Sequence, residues 1–168
     1  IGLRILNLNK YGLWYDEALT VLQSQPTAAI NVKNLIAPLC IFFIWFWEHI
    51  GNSEIVSRIP SVIFGSLSIW MVFLIGKVLF AERTGLFSAF LVAIPSFQVY
   101  YSQEARMYSL MALLTLLSVY FLIRALRNNK AVFWFGFVVT NLFNIYCHYI
   151  GVLLWLAEAI YIINFSRS

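Results

Sequence analysis

Four short stretches of the chain hold residue types that could do chemistry together. Leu13-Trp14-Tyr15-Asp16-Glu17-Ala18 carries two adjacent carboxylates. Arg58 opens a long apolar run. Tyr101-Ser102-Gln103-Glu104-Ala105-Arg106-Met107-Tyr108 gathers a carboxylate, a guanidinium and two tyrosines, and Tyr146-Cys147-His148-Tyr149 sets a histidine between apolar segments. A carboxylate can take the proton of an acceptor hydroxyl. A guanidinium can hold a phosphate through two N–H groups and stabilise charge as it leaves. Aromatic rings can stack on a sugar face or line the path of a lipid tail. The set suits transfer of a group from a phosphate leaving group.

Each of these residues also has a structural reading. Asp16 and Glu17 could be an acidic pair favoured by a helix N-terminus. Glu104 and Arg106 could form an ion pair, although positions i and i+2 do not face each other on a helix. Arg58 could anchor a helix at the membrane surface, and His148 could be hydrogen-bonded packing. Cys40 and Cys147 lie far apart in apolar segments and read as small buried hydrophobes. No His, Cys or carboxylate spacing demands a metal site, so no cofactor is expected; a divalent ion stays open as an alternative that spacing does not support.

The elements that position these groups follow from composition. The 168 residues are 62% hydrophobic and 11% charged, against about 25% charged in a soluble domain. A soluble core of this size cannot hide so much apolar side chain, whereas a bilayer can. The fold class expected is therefore all-α, a polytopic transmembrane helix bundle. Residues 59–76, 84–103 and 107–123 are charge-free and long enough to span, with Pro95 kinking the second. Residues 131–165 would overshoot the bilayer as one helix and predict a hairpin turning at 147–151. Residues 1–57 read as a loop with interfacial helices and residues 58–166 as about five transmembrane helices. The aromatic segment 39–47 is too short to cross and reads as lying on the interface. Glu158 falls inside the last run, where the sequence suggests no role for it.

Basic residues set the orientation. Lys77 and Arg83, then Arg124, Arg127 and Lys130, then Arg167 occupy alternate ends of the runs, which the positive-inside rule assigns to the cytoplasm. The net charge of +4 reports this bias, not binding of nucleic acid. Asp16, Arg58, residues 101–108 and His148 then share the extracytoplasmic side.

In order and spacing these stretches resemble the GT-C glycosyltransferases, which include the protein O-mannosyltransferases and the bacterial aminoarabinose transferase. The acidic stretch at 13–18 resembles their first-loop motif. Gly51-Asn52-Ser53-Glu54, leading to Arg58-Ile59-Pro60-Ser61-Val62-Ile63-Phe64-Gly65, resembles the segment that follows it in bacterial members, and 101–108 with 146–149 completes the likeness. The resemblance implies an N-terminal portion of a larger enzyme, inactive alone and cut at both ends, in a bacterial inner membrane. It implies a sugar on a polyprenyl phosphate as donor, and a glycan, lipid or protein as acceptor. Asp16 falls on the catalytic base. Glu17 and Tyr15 fall on substrate-binding positions, Arg58 on a donor-phosphate ligand, and Glu104, Arg106, Tyr108 and His148 near the donor. Inversion by single displacement is the implied chemistry. One departure stands out: where many members have His-Pro-Pro-Leu, this chain has Ile36-Ala37-Pro38-Leu39. A non-catalytic or degenerate membrane subunit, and a lipid or solute transporter with charges near the midplane, are the competing readings.

Overall fold

The structure, a computed structural model, describes residues 2–5, 8, 12–24, 38–51 and 53–165. Ile36, Ala37, Asn52 and Arg167 lie outside the described residues, and so does most of the segment that joins the first loop to the aromatic stretch. Among the described residues there are helices and no strands.

The helices run α1 (Gly2–Ile5), α2 (Tyr15–Ser24), α3 (Pro38–Glu48), α4 (Glu54–Leu79), α5 (Glu82–Ala93), α6 (Ser96–Gln103), α7 (Tyr108–Asn128), α8 (Ala131–Cys147) and α9 (Gly151–Phe165). Among the described residues, α4 and α7 are the helices each long and apolar enough by themselves to cross a membrane. A third crossing is reached if α5 and α6 count as one span, bent by 66°. Pro95 stands at that bend: it cannot donate to the preceding turn, so α5 stops and α6 starts anew from it. The two arms of the expected hairpin, α8 and α9, are 17 and 15 residues long. Both are apolar, and at about 1.5 Å per residue their described lengths are less than a hydrocarbon core about 30 Å thick. The turn between them is residues 148–150, inside the stretch anticipated. With 11 residues, α3 is likewise too short to cross.

Local chemistry explains the ends. Ser53 caps α4, its side chain accepting from the Val56 N–H at 3.4 Å. Asn129 ends α7 in the left-handed conformation (φ 47°), which asparagine tolerates, and its N–H donates to Ala125 O at 2.8 Å. The α4–α5 hairpin closes on two glycines: a Cβ at Gly76 would lie 2.7 Å from the Gly85 Cα, and one at Gly85 would lie 2.5 Å from the Phe73 carbonyl oxygen. Only backbone fits there.

The bundle has two chemically distinct ends. At one, Lys77 pairs with Glu82 at 3.1 Å, Arg127 donates to the Val78 carbonyl, and the Arg124 guanidinium packs over the Phe133 ring at 5.2 Å. The described basic groups that orient the sequence thus gather there. At the other end lie α2, the start of α4, the break between α6 and α7, and the end of α8, which carry every residue singled out for chemistry. Core packing joins these elements: Cys40 and Ile44 of α3 pack with Ala105, while Leu110, Leu114 and Cys147 pack with Phe43, Phe64 and Met107.

Candidate active site

The first loop is held down by Glu17. It occupies the third position of α2 and reaches back to accept the Trp14 N–H at 3.1 Å, half of a capping box. The same carboxylate accepts from Arg58 Nε at 3.1 Å and Arg58 Nη2 at 2.8 Å, and from the Ala105 N–H at 2.8 Å. Glu17 is 1% exposed and Arg58 6%. Burial pushes the Glu17 carboxyl up, but the hydrogen bonds from Arg58, Ala105 and Trp14 outweigh it and hold the group below the usual carboxylate range. Arg58 also donates to the Leu8 and Gly12 carbonyls, so its guanidinium stitches loop, α2 and α4 together.

Asp16 points the other way. Adjacent positions on a helix diverge by about 100°, so where Glu17 is buried Asp16 stands 58% exposed. Its Oδ2 lies 3.1 Å from Arg106 Nη1. Arg106 therefore pairs across the fold with Asp16, and its guanidinium covers the Tyr108 ring at 4.9 Å. Tyr108 meets Tyr101 edge-on at 4.8 Å. These two rings, with Phe97, Gln98, Ser109 and Gly65, line a cleft of about 230 Å³ between α4, α6 and α7. The Ser68 and Ser109 hydroxyls, also in its wall, donate to Phe64 O and Tyr101 O, both at 2.9 Å, so the wall is mainly hydrocarbon and aromatic.

Two atoms at this site lack a hydrogen-bond partner although buried: Arg106 Nε, a donor, and Glu104 Oε2, an acceptor. The break between α6 and α7 is tightened by the Arg106 N–H donating to Glu104 O at 2.8 Å.

The remaining sequence-derived residues sit nearby in different roles. Tyr15 is 78% exposed at the start of α2, open to a ligand. His148 is 8% exposed, and its Nδ1 accepts the Ile150 N–H at 3.2 Å within the α8–α9 turn. The preceding Cys147 ties that turn to the site, its Sγ 3.7 Å from Met107 O. Among the described residues no group of three or more His, Cys, Asp or Glu side chains could hold a metal ion.

Sequence reasoning missed Arg4. It is 2% exposed and donates to Ser102 Oγ at 3.0 Å and Ala93 O at 3.4 Å, fixing α1 on α6. Gln103 returns the contact by donating to Arg4 O at 3.2 Å. Gly65 leaves room for this junction: a Cβ there would fall 2.2 Å from Ser102 Oγ. The only signal available was a lone arginine in an apolar stretch ahead of the acidic pair.

The dolichyl-phosphate-mannose-protein mannosyltransferases match this chain over residues 36–168. The chain belongs to that family. Membership places it among the integral membrane glycosyltransferases, of the general class that uses polyprenyl-phosphate-linked sugars. The mannosyltransferase match takes in Arg58, Glu104, Arg106, Tyr108 and His148, and begins after Asp16 and Glu17. No curated protein and no solved structure matches the chain.

Proposed function

We propose that this region forms the acceptor-activating and phosphate-binding part of an inverting glycosyltransferase, working at the extracytoplasmic face of a bacterial inner membrane on a sugar carried by a polyprenyl phosphate. The observation that carries the reading is the Asp16–Arg106 contact at 3.1 Å, an exposed carboxylate paired with a guanidinium that covers Tyr108, a residue of the aromatic cleft.

Asp16 takes the proton of an acceptor hydroxyl on a glycan, lipid or protein. The acceptor oxygen attacks the anomeric carbon, the bond from that carbon to the phosphate oxygen breaks, and the configuration inverts. The leaving phosphate gains negative charge next to Arg106, whose unpartnered Nε–H supplies a donor. Phosphate on Arg106 competes with Asp16 for the guanidinium, so arrival of the donor releases the carboxylate for proton transfer. Glu104 Oε2 is the matching unpartnered acceptor, suited to a sugar hydroxyl. Tyr108 and Tyr15 offer rings to the sugar or acceptor. His148 shapes the α8–α9 edge of the site. In this reading Arg58 and Glu17 serve substrate binding indirectly, by holding Asp16 in place. The chemistry needs no cofactor and no metal.

The test is sugar transfer from a polyprenyl-phosphate donor in membranes carrying the intact protein. Replacing Arg106 by glutamine removes a charge-assisted contact worth about 1.5–3 kcal/mol, so transfer at low donor is expected to fall about tenfold to a hundredfold. Lysine should restore part of it, as a point charge without the planar fork. Unchanged donor dependence in both variants would move the phosphate elsewhere.

A further inference from the structure

Away from the site, where α7, α8 and α9 meet, three polar side chains close a ring inside the apolar bundle. Ser118 Oγ donates to Glu158 Oε1 at 2.7 Å, and Asn141 Nδ2 donates to Glu158 Oε2 at 2.9 Å. Asn141 Nδ2 also lies 2.6 Å from Ser118 Oγ. Exposures are 0% for Ser118, 3% for Asn141 and 5% for Glu158. Ser118 stands about halfway along α7, a helix long enough to cross the membrane, so the ring sits near mid-depth.

The groups facing Glu158 are neutral: Ser118 from α7 and Asn141 from α8. Among the described residues no cation pairs with it. The arginines of α7 lie towards the basic end, where Arg124 packs over the Tyr120 and Phe133 rings and Arg127 bonds the Val78 carbonyl. The other ionisable groups of the hairpin are also engaged or turned out: Tyr161 stacks on Phe165, Cys147 meets Met107 O, and Tyr146 is exposed. An ionised carboxylate at this depth with only two neutral donors is strongly disfavoured. The cluster is also short of hydrogens. Asn141 Oδ1 is buried with no partner, and so is Oδ1 of Asn144, one turn away, whose amide donates to Thr115 Oγ1 at 3.1 Å.

We propose that Glu158 is an intramembrane proton-binding site, its carboxyl carrying a proton in the resting protein and joining α9 to α7 and α8 as a neutral acid. α9 starts at Gly151, directly after the turn that holds His148. The proton on Glu158 therefore helps to set where that turn stands.

Infrared difference spectra of the intact protein in lipid nanodiscs, wild type against Glu158→Gln at neutral pH, test this. The expected result is loss of a protonated-carboxyl C=O band that shifts in D2O, with Tm and sugar transfer unchanged because glutamine keeps the shape and the neutrality. Loss of carboxylate bands instead would overturn the proposal. If the variant does not accumulate, the wild type decides alone. Dicyclohexylcarbodiimide adds whole to a protonated carboxyl: the proton passes to nitrogen, the oxygen bonds the central carbon, and an O-to-N acyl shift leaves a stable adduct. A protonated-carboxyl band that disappears as the peptide containing Glu158 gains the reagent's mass supports the site. Absence of any protonated-carboxyl band refutes it.

Discussion

Asp16→Asn is expected to lower sugar transfer by about a hundredfold or more while leaving the amount of protein in the membrane unchanged. The side chain is 58% exposed and its one ion pair among the described residues is with a partly exposed arginine, so the substitution removes little that holds the fold. Asparagine keeps the shape and can still accept from Arg106, but it cannot take a proton from a hydroxyl. The measurement is initial transfer rate at saturating donor, with protein quantified in the same membranes. Should the rate stay near wild type, the base lies elsewhere, and Asp16 would be an ordinary acidic residue at a helix start. Loss of transfer with the family's donors bound normally would separate the base from the phosphate site.

Arg58→Leu should have the opposite signature, with the fold failing first. The Glu17–Arg58 pair is 2.8 Å long, and its side chains are 1% and 7% exposed. Removing one partner of a buried pair strands the other, at a cost of about 3–5 kcal/mol. Thermal unfolding in detergent, followed by tryptophan fluorescence, should show a large drop in Tm. The double variant Glu17→Leu with Arg58→Leu should recover part of that loss, because no charge is then left buried. A drop no larger than that of a surface pair, or no recovery in the double variant, would mean that the pair does not hold the loop. The pair also has a pH signature. The folded Glu17 carboxyl sits below its ordinary range, so its stabilisation is complete above the unfolded pKa and is lost as pH falls through the folded one. Acid should therefore loosen the loop of the wild-type protein, whereas in Glu17→Gln this contribution to acid lability is gone.

Much of the architecture was legible because bilayer physics acts on local composition. The break at Pro95, the hairpin turning at residues 148–150 and the shortness of α3 all follow from run length and one ring-locked residue. The bounds of the last two helices were less legible, since the apolar run of 131–165 says where two arms must fold but not where each helix begins. The pairing of charges was not legible at all. Helix spacing says that Glu104 and Arg106 diverge, but not that Arg106 finds Asp16, 90 residues away, or that Arg58 finds Glu17 at a separation of 41. Those choices belong to tertiary packing. Glu158 had no assigned role for the same reason: its partners Ser118 and Asn141 are ordinary polar residues in apolar helices until three helices bring them together.

The hydrogen bond from the Ala105 main-chain N–H to Glu17 has a consequence for genetics. Ala105 is 0% exposed, and the residues that follow Ala105 and precede Glu17 are Arg106 and Asp16, so this one amide fixes the spacing of the two charged groups. Every amino acid except proline supplies the same N–H. A survey of alanine and glycine replacements would pass over the position as unremarkable. Half of the link between loop and bundle is thus written in the backbone: at position 105 only an imino acid or a backbone ester removes the donor, whereas the acceptor is the Glu17 side chain.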